Sequence, residues 1–290
     1  MTCSRPRSRA DFPKFGDLHV HTTYSDGACT PGEVVWAAAG LGLKALAITD
    51  HDTVSALAIA RPEAQRAGIE LIGGVEVSAE FHGREVHLLG HFVSEDGERL
   101  QALCRKVRES RGARLNAMIE RLASLGLTVE LGALQRAFPR ALLGRRHLAD
   151  YLVRSGQAAD RRVVFAKVLG NHGPANVPKV PAPWREAIQA IGEAGGVAGL
   201  AHPPYDLKWA SLEELVGGGL SSIEVDWPGL APNKSLRLRE TASRMGLVPI
   251  AGSDFHAADR HGRWLGAVAT PIERIETLRA LRPQPLNLVE

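Results

Sequence analysis

Short apolar runs that stop abruptly at a histidine or a carboxylate recur along this chain, with helical stretches between several of them. The stretches 43-LKALAITDHD-52, 69-IELIGGVEVS-78, 85-EVHLLGHFV-93, 196-GVAGLAH-202, 221-SSIEVDW-227 and 247-LVPIAGSDFH-256 all have this form. Strands alternating with helices predict a mainly parallel α/β architecture. In such folds the polar residues just past the strand C-termini converge on one face, where active sites are built. The helices carry their own signals. In 30-TPGE-33, Thr30 is placed to cap, Pro31 to occupy the first helical position and Glu33 to close a capping box, opening a helix to about Gly42. Further helices are expected over 54–67, 184–194 and 233–245, and a short one opened by the capping box 211-SLEE-214.

The alternation breaks in the middle. From about 96 to 125 the sequence reads as one long Arg- and Glu-rich helix, and helix-like sequence continues toward the linker 170-GNHGPANVPKVPAP-183. Residues 97–175 are therefore expected to form a helical insertion, flanked by 15–96 and 176–290 as one α/β unit, with 1–14 a loose basic tail. At 290 residues, 44% hydrophobic and 23% charged, the chain is expected to be globular and soluble with a sizeable core. A net charge of +3 is too small to imply a nucleic-acid coat. No apolar run suits a signal peptide or a membrane span. Cys3, Cys29 and Cys104 lie far apart, so reduced thiols in a cytoplasmic protein are the simplest expectation.

The strand-end residues are His19, His21, Asp50, His51, Glu76, His87, His202, Asp226, Asp254 and His256. Residues two apart on a strand share a face, so His19 and His21 can reach one ion together, and Asp254 and His256 repeat that logic. A single such histidine is more often a hydrogen-bonded core residue, and a carboxylate after a strand is often a helix cap. Their joint occurrence decides the matter. Burying that many polar groups unpaired would cost several kcal/mol apiece, which a cation offsets. The ligand types suit Zn, Mn or Fe, and they outnumber what one tetrahedral ion needs. Two or three ions bridged by a carboxylate such as Glu76 fit better, and clustered ions point to phosphoester hydrolysis.

The motifs 18-LHVHTTYSDG-27, 48-ITDHDT-53, 73-GGVEVS-78, 201-AHP-203 and 252-GSDFH-256 resemble, in order, those of the PHP (polymerase and histidinol phosphatase) domain. The resemblance implies a distorted TIM-like (β/α)7 barrel holding two or three divalent ions, Mn foremost with Zn or Fe possible. It implies the ligands His19, His21, Asp26, His51, Glu76, His87, His202, Asp254 and His256. Asp26, by itself, reads as a turn residue in 25-SDG-27, and the resemblance makes it a ligand. His82 and His91 read as surface residues or supports, and His147, His172 and His261 carry no motif that would make them ligands.

Single-chain bacterial members with a helical insertion are the most similar subgroup, and 145-RRHLADYLVRSG-156 is similar to their Arg-x-His segment. That implies phosphate contact for Arg145, weaker substrate contacts for His172 and Lys179, and catalytic roles for Arg145, His202 and Asp254. The implied activity is hydrolysis of the 3′-phosphate of nucleoside 3′,5′-bisphosphates such as pAp, and 5′-to-3′ trimming of short RNAs. The partners are then a small nucleotide or short oligoribonucleotide, with no membrane and no stable protein partner. Histidinol-phosphate hydrolysis, a metal-dependent amidohydrolase and a non-catalytic, metal-stabilised module that binds nucleic acid are the alternatives. In 201-AHPPYD-206, Pro204 stands where the family commonly has Gly, which stiffens this loop.

Overall fold

The computed structural model describes residues 14–139, 141–257 and 264–283. Apart from Lys14, the expected basic tail lies outside the described residues, as does His261. In chain order the elements are β1 (Phe15–Asp17), α1 (Pro31–Leu41), β2 (Ala45–Ile48), α2 (Leu57–Ala67), β3 (Glu70–Phe81), β4 (Arg84–His91) and α3 (Glu98–Ser124). There follow α4 (Leu131–Ala137), α5 (Arg145–Arg154), α6 (Arg161–Val164) with a π-helical turn over Phe165–Leu169, β5 (Ala182–Pro183), α7 (Trp184–Glu193) and β6 (Val197–Leu200). The chain continues through α8 (Trp209–Gly217), β7 (Ser222–Asp226), α9 (Pro232–Met245), β8 (Val248–Ala251), β9 (Thr270–Pro271) and α10 (Ile272–Ala280).

The strands lie in the order β8-β7-β6-β4-β3-β2-β1, and β9 extends the sheet antiparallel beyond β1. The two ends of this path meet again just past β1 and β8. There Val20 and Phe255 form a parallel bridge, and the His21 N–H donates to the Phe255 carbonyl at 2.9 Å. The result is a distorted TIM-like barrel in which β4 alone among the barrel strands runs antiparallel to its neighbours β3 and β6.

Side-chain alternation explains the closure. In β2, Ala45 and Ala47 join the cluster that includes Leu18, Ile72 and Leu89 inside the barrel. Leu46 and Ile48 join the outer core with Val34 and Val35 of α1, Leu57 of α2, Leu100 of α3, Ile191 of α7 and Leu215 of α8. Each such buried side chain contributes about 1.5–3 kcal/mol relative to exposure. In β7 the outward Ile223 and Val225 belong to that outer core, so Ser222 and Glu224 turn inward. Gly252 is required where the seam closes, because a Cβ there would sit 2.4 Å from the His19 Cβ.

The helix signals are mostly met. Thr30 and Glu33 form the reciprocal capping box of α1 with Pro31 at its start. The exception is 211-SLEE-214. The helix there begins at Trp209, capped by Lys208, so Ser211 lies within the first turn and caps nothing. Beyond the barrel, Leu115, Met118 and Leu122 of α3, Leu134 of α4, Leu148 and Leu152 of α5 and Val164 form a separate hydrophobic core. Cys104 is a free, buried thiol, whereas Cys29 is disulfide-bonded, which corrects the expectation of reduced thiols. Among the described residues no helix is long and apolar enough to cross a membrane.

Candidate metal centre

The first corner of the site follows β1. Asp17 accepts hydrogen bonds from the backbone N–H groups of Ser253 and Gly266, both at 2.9 Å, which ties this corner to the segment after β8. Burial pushes the Asp17 carboxyl up to about 6, against those hydrogen bonds. Asp50 anchors the next loop: it accepts from the Thr22 N–H at 2.7 Å and from the Thr22 and Ser25 hydroxyls at 2.6 and 2.5 Å. That loop carries Asp26. Asp50 thus positions a neighbour of the cluster, and Asp226 faces Arg239 at 3.5 Å instead of the cluster.

Glu76 is the hub. It is buried on β3, and its Oε2 lies 3.4 Å from His19 Nε2, 3.1 Å from His21 Nε2 and 2.9 Å from His51 Nδ1. Its Oε1 lies 2.8 Å from His87 Nδ1 and 3.2 Å from His202 Nε2. Asp254 Oδ1 closes the other side, 3.4 Å from His19 Nε2 and 3.3 Å from His21 Nε2, and His256 Nε2 lies 3.1 Å from Asp26 Oδ1. All nine residues that the sequence motifs singled out therefore meet. The antiparallel β4 brings His87 opposite Ser78 on β3, within reach of Glu76.

Asp254 and His256 meet differently from the simple strand alternation expected of them. Asp254 has φ 47° and His202 φ 25°, both in the left-handed region that side chains avoid. Each such residue costs about 1–3 kcal/mol and persists only when its surroundings over-determine it. At His202 the constraint is visible, since its N–H donates to Glu224 Oε2 at 2.7 Å.

The electrostatics fit a cation. Burial disfavours charge on His21, yet the adjoining carboxylates of Asp254 and Glu76 raise it to about 10. His87 is likewise raised to about 9, where Glu76 overcomes burial. His51 goes the other way, to about 4, because burial wins. Glu76, Asp26 and Asp254 all resist burial and are held well below the usual carboxylate range by the surrounding histidines. Three polar atoms stay unsatisfied: Asp26 Oδ1, Glu76 Oε2 and His51 Nδ1 are buried without a hydrogen-bond partner, although each lies within ion-pair distance of another member. An orphaned buried polar atom costs about 1–3 kcal/mol. Imidazole and carboxylate donors aimed at common points are what Mn, Zn or Fe take. Three overlapping sets can each hold an ion, with ligand atoms within 4.8 Å of one another: His21, Asp26, His51 and His256; His19, His21 and Glu76; and His51, Glu76 and His87.

A cavity of about 180 Å³ opens over Asp26 and His51, and Arg111, Arg114, Arg145 and Lys179 line it. Arg145, in the first turn of α5, is steadied by the Leu169 carbonyl at 3.2 Å and Asn171 Oδ1 at 3.0 Å. Lys179 pairs with Glu85, which lies 3.0 Å from His87 Nε2. His172 is exposed and does not line this cavity. His147 is buried beside Phe138, where its Nδ1 accepts the Gly144 N–H at 3.2 Å, and it also lines this cavity. His82 sits at the surface against Glu214, while His91 is fully buried, 2.9 Å from the Leu18 carbonyl.

Sequence reading missed four residues here. Glu224, fully buried with Oε1 3.0 Å from His19 Nδ1, orients that ring. The signal was present: in 221-SSIEVDW-227 a glutamate interrupts an apolar alternation, two residues before the Asp226 that was chosen. Glu85 had a weaker signal of the same kind. Arg111 and Arg114 had none, being two arginines among many on a long polar helix.

A profile of the PHP domain matches residues 17–136. The chain is 35% identical over 286 residues to the 3′,5′-nucleoside bisphosphate phosphatase of Chromobacterium violaceum, covering 92% of this chain and 98% of that one. It is 35% identical over 247 residues to the 5′-3′ exoribonuclease Rnm of Escherichia coli, covering 83% and 84%. Among solved structures, a candidate metal-dependent phosphoesterase from Bifidobacterium adolescentis superposes with a TM-score of 0.85 at 29% identity, over 93% of this chain and 97% of that one. With this coverage, and with the motif residues gathered at one barrel rim, the chain belongs to the PHP domain family.

Proposed function

We propose that this protein is a metal-dependent phosphoesterase acting on the 3′-phosphate of 5′-phosphorylated nucleosides, free as pAp-like bisphosphates or at the 5′ end of a short RNA. One observation carries the reading: the donor cluster around Glu76 faces a cavity whose opposite wall is cationic. Both substrates present the same local unit, a nucleoside with phosphates on both sides, and two similar proteins bear the names of these two activities.

The ligands proposed for two or three ions, Mn foremost, are His19, His21, Asp26, His51, Glu76, His87, His202, Asp254 and His256. Bound there, divalent ions supply Lewis acidity toward phosphate oxygens and lower the pKa of water. The chain's own residues do the rest. Arg145 meets phosphate oxygens through paired N–H donors, with Lys179, Arg111 and Arg114 adding charge around them. Water oxygen bonds to phosphorus, the bond from phosphorus to the 3′ oxygen breaks, and that oxygen leaves on the nucleoside with a proton. Residues 97–175 serve in this reading as a capping subdomain that limits the cavity to one nucleotide unit. The test is a panel of pAp, histidinol phosphate and 5′-phosphorylated RNA with Mn-loaded enzyme. Hydrolysis of pAp and RNA supports the reading, and preference for histidinol phosphate overturns it.

A further inference from the structure

The loop after β6 leads from the cluster to a cavity that shares no lining residue with the cationic one. His202 ends that strand path, Pro203 follows it, and Pro203 already lines a second cavity of about 230 Å³ between α8 and α9. Tyr205 and Trp209 stand in its wall, 69% and 44% exposed. Lys208, Lys234 and Arg237 line it as well, and no carboxylate does. Lys234 Nζ sits 3.4 Å from the centre of the Tyr205 ring. The loop is also held in place: Arg84, from the start of β4, grips Asp206 through two contacts of 2.9 Å. Trp209 Nε1 donates to Glu213 at 2.7 Å, which fixes the indole.

Two exposed aromatic rings, stiffened by neighbours, thus stand in one cavity wall whose charged lining residues are all cations. Aromatic faces interleaved with cations are the chemistry of single-stranded nucleic acid, where bases stack on rings and the backbone follows the charge. We infer that this cavity is a platform for the RNA strand on the 3′ side of the scissile phosphate. The inference rests on the phosphoesterase reading for the position of that phosphate. In pAp the phosphate at the cluster has no further substituent, so a free nucleotide has nothing to place on the platform. An RNA has a second nucleotide, and its base stacks on Tyr205 or Trp209 while its phosphate meets Lys208, Lys234 or Arg237. The platform therefore separates the two substrates, adding affinity for RNA without touching the chemistry.

The test uses the Mn-loaded full chain and 5′-phosphorylated, phosphorothioate-linked oligoadenylates of increasing length, followed by fluorescence anisotropy, beside pAp hydrolysis. Tyr205→Ala combined with Trp209→Ala should weaken oligoadenylate binding roughly tenfold or more. Hydrolysis of pAp should stay within about twofold. Tyr205→Phe should bind like the wild type, because stacking survives. In the wild type, affinity should rise on going from one nucleotide to two and three, a readout that needs no variant to fold. Equal losses for pAp and oligoadenylate, unchanged oligoadenylate binding, or length-independent affinity would each overturn the platform. A wild type that hydrolyses neither pAp nor RNA counts against the phosphoesterase reading, and the anisotropy series still decides the platform.

Discussion

The two walls of the cavity over Asp26 and His51 are built on opposite plans. On the barrel side, imidazoles and carboxylates are buried or half-buried and packed against one another, with Glu76 at the centre. On the opposite side stand cations: Arg114 and Arg145 are steadied by main-chain carbonyls and asparagine side chains, and Arg111 and Lys179 by the carboxylates of Asp52 and Glu85. The first wall has the rigidity and donor types that ions require. The second has the long reach that an anionic substrate requires. Under the proposed function one cavity divides its labour between chemistry and capture, and changes to the two walls should separate in kinetics.

Glu76→Gln should be the severest change, because it removes charge from the carboxylate that meets five of the histidines. Turnover should fall roughly 100- to 1000-fold or more, with bound metal falling in parallel by elemental analysis. A variant that kept full metal content and full turnover would erase the distinction between the walls. Arg145→Ala should lose about 10- to 100-fold in kcat/KM, chiefly through KM, with metal content unchanged. Arg145→Lys should recover only part of this, since an ammonium offers no paired donors. A loss confined to kcat would place Arg145 in the chemistry instead.

Glu224→Gln sharpens the comparison inside the barrel wall. It should weaken metal affinity about 10- to 100-fold, while kcat at saturating metal stays near wild type. A last effect, on stability and not on activity, concerns the floor beneath that wall. Burial lowers His91 to about 4 from the 6.5 of an unfolded histidine. Between those values the unfolded chain binds the extra proton, so stability falls as pH drops through this window, by on the order of 3 kcal/mol at most. Urea melts at pH 7 and pH 5 should show the drop, and His91→Gln should reduce it.

What the sequence revealed follows the same divide. A strand has a period of two and a defined end, so His19, His21, His51, Glu76 and His202 could be placed on one rim from the text alone. The capping box at Thr30 and Glu33 was equally local. Glu224 was missed because strand-end reasoning favours the last polar residue, whereas the barrel uses the inward one two places earlier. Asp254 reaches the cluster through a left-handed backbone that no alternation rule anticipates. Arg111 and Arg114 were invisible for a different reason. Arginines recur along α3, and only tertiary packing decides which guanidinium looks into the cavity. The start of α8 shows the same override on a smaller scale.

The seam between Val20 and Phe255 has a consequence for how the chain holds together. It joins segments more than two hundred residues apart through one bridge, and the proposed ligands His19, His21, Asp254 and His256 flank it on both strands. Closing so long a loop is paid in chain entropy before any contact rewards it. An ion held by both strands acts as a clasp on that loop, stabilising the folded chain in proportion to the logarithm of its concentration over its dissociation constant. Chelation should therefore lower the melting temperature as well as activity, and it should loosen the barrel first where its beginning meets its end.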